Sequence, residues 1–240
     1  FGGFASVPTV VAARWLGLPV VLHEQNAVLG RANRLLARYA TTIATSFAET
    51  AGVPAGDQAK TRATGNPVRD EIAALRDSNY SPPTGDRPVH LLITGGSQGA
   101  RVFADILPPA LAALPAALRA RLRVAQQARQ EDVTRVTAAY RTSGIDAEVS
   151  SFFGDMARRL AAAHLLICRA GASTIAEITA AGRPAVLVPY PQAMDDHQSA
   201  NARAAADTGA AWLLAEGPLT VDYFRACLER ALGDPAGLAA

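Results

Sequence analysis

The chain is poor in cysteine, aromatic residues and lysine, and the shortages narrow what it can be. Cys168 and Cys227 are its only 2 cysteines, which excludes a disulfide scaffold and a cysteine-rich zinc site. Charged residues make up 18% and the formal net charge is only +2. That is neither a disordered polyelectrolyte nor a strongly basic nucleic-acid binder, so no nucleic-acid partner is expected. No apolar run approaches the ~18 residues of a membrane-spanning helix. There is no Asp-x-Asp of the kind that holds a divalent cation in many nucleotide-sugar enzymes. His-Glu-x-x-His is missing too, so neither metal nor cofactor is expected. No signal-peptide pattern opens the chain. It begins at Phe1 rather than methionine, and Gly2-Gly3 reads as the interior of a domain, so a fragment lacking its N-terminal region is expected.

What remains is abundant apolar material. Hydrophobic residues are 50% of the 240, with 52 alanines, and Arg outnumbers Lys 22 to 1. Codon bias accounts for the last two features, and alanine-rich helices form readily. Short β-branched runs at 20–23, 41–45, 89–94, 122–126, 147–152, 165–168, 185–188 and 211–214 read as strands. Helical stretches lie between them at 6–16, 29–39, 100–114, 130–143, 156–163, 174–181, 198–208 and 221–232. The alternation predicts an α/β fold of βαβ units, and continuous apolar strands predict a parallel sheet covered on both faces. Residues 76–88, RDSNYSPPTGDRP, break the rhythm and read as a linker. Three segments are therefore expected: 1–75 as the C-terminal part of one domain, 76–88 as the linker, and 89–240 as a second domain.

Three strand-to-helix turns of the second domain carry polar groups. GGSQGA at 95–100 follows a strand and opens a helix. Its glycines permit close backbone approach to a ligand, the helix start suits a phosphate, and Ser97 can donate to one. Glycine needed for turn geometry alone gives the same pattern. In CRAGASTIAEI at 168–178, Ser173 or Thr174 reads as a helix N-cap. Glu177 sits one turn in, where its carboxylate can accept from two ribose hydroxyls or simply complement the helix dipole. The third turn ends in Asp196, His197, Gln198 and Asn201, groups suited to sugar hydroxyls, although Asp195 or Asp196 can equally serve as an N-cap. All three turns fall on one edge of a parallel sheet, where ligands of open α/β sheets bind. The joint reading is a nucleotide or nucleotide-sugar cleft. Upstream, HEQN at 23–26 ends a strand, and Arg69 in GNPVR at 65–69 can reach a diphosphate across that cleft. Arg31, Arg34 and Arg38 make a basic helix stripe, read either as a solvated face or as a contact with anionic lipid or a pyrophosphate. Trp15, beside Leu16 and Leu18, is read as core or as an apolar interfacial contact.

Together, Gly2-Gly3 with Pro8, HEQN, GNPVR, GGSQGA, CRAGASTIAEI and Asp196-His197-Gln198 with Asn201 resemble the bacterial glycosyltransferases of peptidoglycan synthesis. Those enzymes add N-acetylglucosamine from UDP-GlcNAc to lipid I. The resemblance implies two Rossmann-like domains facing across a cleft (the GT-B fold), with the first incomplete here. It implies an inverting, metal-independent transfer to the 4-hydroxyl of MurNAc in lipid I, forming lipid II, on the cytoplasmic face of the inner membrane. An anionic membrane surface is then a partner, and the protein is bound there peripherally. Carried onto this sequence, the donor contacts fall on Asn26, Arg69, Ser97 and Gln198. Glu177 holds the ribose, Thr174 with Ser173 lies at the phosphate-facing helix start, and Phe153 lends its backbone to the uracil. His23 and Glu24 are candidate assistants near the acceptor. The family's first Gly-rich loop, which carries a proposed base, has no counterpart here, so no base is assigned. A UDP-sugar-binding subunit without catalysis, or another UDP-sugar transferase or epimerase, stays open.

Overall fold

The apolar runs pair into two separate parallel sheets in the computed structural model, which describes residues 3–96, 99–234 and 237–238. The first sheet holds β1 (Val21–Glu24), β2 (Thr42–Thr45) and β3 (Thr61–Ala63) in that order. Packed with it are α1 (Val7–Trp15) and α2 (Arg31–Leu36). Leu22, Leu29, Leu36 and Ile43 form its core. β3 was not expected from the sequence: Thr-Arg-Ala is short and polar, and its backbone pairs only because β2 offers an edge.

A short helix, α3 (Asp70–Ala73), leads out of this unit. Its Ile72 is fully buried, not under the first sheet but among Leu92, Leu160 and Leu166 of the second. The 78–88 stretch that follows is tied down rather than free. The Tyr80 hydroxyl donates to the His164 carbonyl at 2.9 Å. Ser78 Oγ accepts from Arg183 Nη2 at 3.2 Å. Arg183 is itself buried, and its guanidinium donates to the Leu160, Ala161 and Ala181 carbonyls at the ends of two helices. Those carbonyls lie in the last turns of the two helices, where a cation is well placed.

The second sheet contains β4 (Val89–Thr94), β5 (Leu122–Gln127), β6 (Asp146–Ser150), β7 (Leu165–Cys168), β8 (Ala185–Leu187) and β9 (Ala211–Leu213). Their spatial order is β6-β5-β4-β7-β8-β9, all parallel. Both faces are covered. Leu91, Ile93, Leu165, Ile167 and Val186 point to the layer of α4 (Arg101–Ala112), α6 (Val133–Thr142) and α10 (Val221–Gly233). Their neighbours Leu92, Leu166, Cys168 and Leu187 point to the layer of α7 (Met156–Ala162), α8 (Ala172–Ala181) and α9 (His197–Ala206). Each such fully buried aliphatic side chain contributes ~1.5–3 kcal/mol. A further short helix, α5 (Ala116–Arg121), precedes β5. Gly182 ends α8 in the left-handed region at φ 59°, and the Arg183 N–H closes back on the Ile178 carbonyl.

The strand order places the functional region. From β4 the chain moves outward to β5 and β6, then returns to the other side of β4 as β7. The turns after β4 and β7 therefore leave in opposite directions, and a crevice opens between them at the carboxyl edge.

Candidate functional site

Glycine is required in the first of these turns. A Cβ on Gly95 would lie 2.1 Å from the Ala100 amide nitrogen, so no side chain fits. Gly96 and Gly99 adopt φ of 75° and 66°. Thr94 props the turn: its hydroxyl donates to Gln127 Oε1 at 2.7 Å and accepts the Gly96 N–H at 3.3 Å. An open polar pocket of about 450 Å³ adjoins Gly99, lined by Gln127, Arg129, Glu131 and Ser151 among others. Ser97 lies outside the described residues.

The second turn differs from expectation in its cap. Gly171, not Ser173 or Thr174, is the N-cap of α8, and no side chain accepts from the helix start. Ser173 and Thr174 are the second and third helical residues, so the amides at 172–174 are left for an outside acceptor. Arg169, just before the turn, is buried and ion-paired with Glu216. It also donates to the Val188 and Pro189 carbonyls, at 3.2 and 3.3 Å. It thereby ties the β7 turn to the β8 turn and to the segment after β9, a role that its place in the sequence does not announce.

The third turn enters α9 through Asp195 and Asp196, both in the left-handed region, with φ of 51° and 53°. Neither side chain caps the helix, contrary to the simple N-cap reading. Gln198 Oε1 accepts the Tyr190 N–H at 3.0 Å, which leaves its NH₂ group unspent in that bond. Asn201 is completely buried and so is not open to a sugar as its type suggested.

Three contacts join these turns to the first sheet. Asn201 Oδ1 accepts the Ala27 N–H at 2.7 Å, and its Nδ2 donates to Asn26 Oδ1 at 3.1 Å. Arg69 Nη2 lies 3.2 Å from Glu177 Oε1, while Nη1 lies 3.3 Å from Glu71 Oε1. Arg31 donates through Nε and Nη2 to Asp195 Oδ1 at 3.0 and 2.8 Å. Asn26, Arg69, Glu177 and Asn201, scattered over 175 positions, therefore meet along one seam.

The remaining sequence-derived candidates fall as follows. Glu24 is buried, and its two carboxylate oxygens accept from the Asn26 amide and Nδ2, the Gly30 amide and Asn33 Nδ2, at 2.9–3.1 Å. A carboxylate so fully engaged shapes its loop. The His23 Nε2 lies 3.1 Å from the Gly65 carbonyl and joins HEQN to GNPVR. Phe153 is 5% exposed at the end of β6, with the Arg159 guanidinium 3.9 Å over its ring. It lies three strands away from β7, at the far side of β4. All three arginines of the stripe are exposed, as the solvated-face reading expects, though each has a partner: Arg31 pairs with Asp195, Arg34 donates to the Leu29 carbonyl and Arg38 stacks on Tyr39. Trp15 is 84% exposed, against the core alternative, and Leu16 and Leu18 are exposed beside it. Burial pushes the Cys168 thiol up to about 12, so it is an inert strand residue. Among the described residues, no three His, Cys, Asp or Glu side chains gather as metal ligands.

The pattern of the Glycosyltransferase family 28 C-terminal domain matches residues 90–235, and that of the family's N-terminal domain matches residues 1–45. A UDP-N-acetylglucosamine--N-acetylmuramyl-(pentapeptide) pyrophosphoryl-undecaprenol N-acetylglucosamine transferase of Paramagnetospirillum magneticum is 55% identical, over 99% of this chain and 64% of its own length. A transferase of the same name from Rhodospirillum centenum is 52% identical, over 100% of this chain and 63% of its own. This chain thus spans a little under two thirds of the length of these curated relatives. The crystal structure of MurG from Acinetobacter baumannii superimposes with a TM-score of 0.79 at 35% identity, covering 100% of this chain and 68% of that one.

Proposed function

The chain belongs to glycosyltransferase family 28 and has the GT-B fold, and from that premise we propose that it forms part of an enzyme that moves N-acetylglucosamine from UDP-GlcNAc to lipid I. The acceptor's MurNAc 4-hydroxyl oxygen attacks the anomeric carbon from the face opposite the nucleotide. The bond from that carbon to the diphosphate oxygen breaks, and UDP leaves with the electron pair. The hydroxyl proton passes to a general base, for which neither His23 nor Glu24 is assigned. Charge builds on the departing diphosphate. The amide groups at the start of α8, those of the turn after β4 and the Arg69 guanidinium stabilise it without a metal ion. Glu177 accepts from the ribose hydroxyls, Thr174 and Ser173 face the phosphates, and Ser97, Asn26 and Gln198 contact the donor. Phe153 borders the uracil.

The observation that carries this reading is the meeting of Arg69 and Glu177. A cation suited to a diphosphate and an anion suited to a ribose stand side by side at the mouth of the switch-point crevice. HEQN and GNPVR supply the first-sheet half of that seam, which favours the lipid I transferase over an epimerase or a passive UDP-sugar binder. The acceptor is lipid-linked, so the protein works at the anionic cytoplasmic surface of the inner membrane. No helix among the described residues is long and apolar enough to cross it. The exposed Trp15, Leu16 and Leu18, with Arg14 in the last turn of α1, supply a surface for peripheral contact.

Titration of the chain with UDP-GlcNAc, UDP-glucose and GDP-sugars tests the donor assignment. UDP-GlcNAc should bind best, and equal affinity for all would overturn it. In the longer protein, transfer to a lipid I analogue should survive chelator. Loss of turnover with chelator and its return with magnesium would contradict the metal-free mechanism.

A further inference from the structure

The seam contains one side chain whose hydrogen bonding fixes the orientation of another. Glu24 can only accept, so the NH₂ group of Asn26 must face it, and Nδ2 lies 3.1 Å from Glu24 Oε1. The Asn26 carbonyl oxygen then faces the other way and meets Asn201 Nδ2 at 3.1 Å. Asn201 must present its NH₂ group there. Its own oxygen consequently falls on the Ala27 N–H, at 2.7 Å, and its second N–H on the Ala170 carbonyl, at 3.1 Å. Flipping Asn26 would set like against like at two contacts and flipping Asn201 at three, so the order of donors and acceptors has one solution. Asn201 is fully buried, and Ala170 and Ala27 are buried with it. One side chain thus links α9, the turn after β7 and the loop after β1.

We propose that Asn201 is a positioning residue that aims the Asn26 carboxamide at the donor sugar. It acts from the second sheet's side of the seam, so Asn26 is correctly presented only when the two sheets are closed on each other. The proposal rests on the donor reading above, in which Asn26 faces the sugar. Asn26 keeps one N–H and one lone pair beyond its bonds to Glu24 and Asn201. Asn201 itself has no exposed surface with which to touch a ligand. Its influence is therefore confined to what Asn26 reads, the sugar, and does not extend to the uridine and ribose held by the second sheet's turns.

Calorimetric titration of the 240-residue chain with UDP-GlcNAc and with UDP separates this role from a merely structural one. Asn201→Asp keeps an acceptor for the Ala27 N–H but sets a second acceptor against Asn26 Oδ1 and the Ala170 carbonyl. It should weaken UDP-GlcNAc about tenfold and change UDP less than about twofold, a split of about 1–1.4 kcal/mol. Asn201→Ser, uncharged and smaller, should weaken UDP-GlcNAc about threefold and leave UDP unchanged. Placed on Asn26→Ala, the Asn201→Asp change should weaken UDP-GlcNAc less than about twofold further, because its effect passes through Asn26. Equal losses for UDP and UDP-GlcNAc, or losses that multiply in the double variant, would overturn the positioning role. If the unaltered chain bound UDP well and UDP-GlcNAc no better than UDP-glucose, the donor reading would fall first and this one with it.

Discussion

Arg69 and Glu177 meet across the seam between the two sheets, Nη2 to Oε1 at 3.2 Å, with side chains 52% and 26% exposed. An ion pair so open to water is worth at most ~1 kcal/mol, so a ligand that offers hydroxyls to the carboxylate and phosphates to the guanidinium can separate it at little cost. On the proposed reading, the pair holds these two charges in place until a nucleotide arrives.

Glu177→Ala should weaken UDP and UDP-GlcNAc by the same factor, about tenfold or more. Hydrogen bonds to a charged group contribute ~1.5–3 kcal/mol, and the ribose is common to both ligands. Calorimetry with the two ligands checks this, and an effect on UDP-GlcNAc alone would remove Glu177 from the ribose.

Gln198 should behave in the opposite way. Its oxygen is held by the Tyr190 amide, which aims the NH₂ group. Gln198→Ala is expected to weaken UDP-GlcNAc several-fold and to leave UDP unchanged in the same titrations. An equal loss of UDP would place Gln198 at the nucleotide instead of the sugar.

At the opposite, amino-terminal edge of the second sheet, His164 Nδ1 accepts the His90 N–H at 2.9 Å. Burial first, then nearby His90, Arg183 and Arg121, hold its pKa below the usual 6.5. The unfolded chain therefore takes up this proton more readily than the folded one. The contribution is complete above pH ~6.5 and is lost as pH falls through the lower folded value. Urea unfolding should show stability declining below pH ~6.5, and His164→Gln should flatten that decline. An unchanged slope in the variant would assign the effect to other groups.

Much of the second sheet was legible because its strands are apolar on both faces. Val89–Thr94 and Leu165–Cys168 have the expected bounds. What escaped were elements whose pairing depends on partners far along the chain. Thr61–Ala63 has no apolar signature and is a strand only beside β2. Ala116–Arg121 was lost in an alanine-rich run. Residues to 75 were grouped with the first unit, yet Ile72 is buried with the second, because helix α3 has no core of its own to join. Asn201 reads as a surface amide for a sugar, yet it is buried and bonded to Ala27, 174 residues earlier. Trp15, in a hydrophobic stretch, is exposed at the end of α1, a helix none of whose residues is buried. Turn chemistry at single positions was legible where glycine geometry dictated it, as at Gly95, and illegible where side chains met across the seam.

The most direct measurement is a crystal structure of the chain with UDP-GlcNAc bound. The account predicts the diphosphate within hydrogen-bond distance of the amides at 172–174, Arg69 released from Glu177 and turned onto the phosphates, and both ribose hydroxyls on the Glu177 carboxylate. A donor seated elsewhere, or in the crevice with Arg69 still on Glu177 and no helix amide near the phosphates, would contradict it.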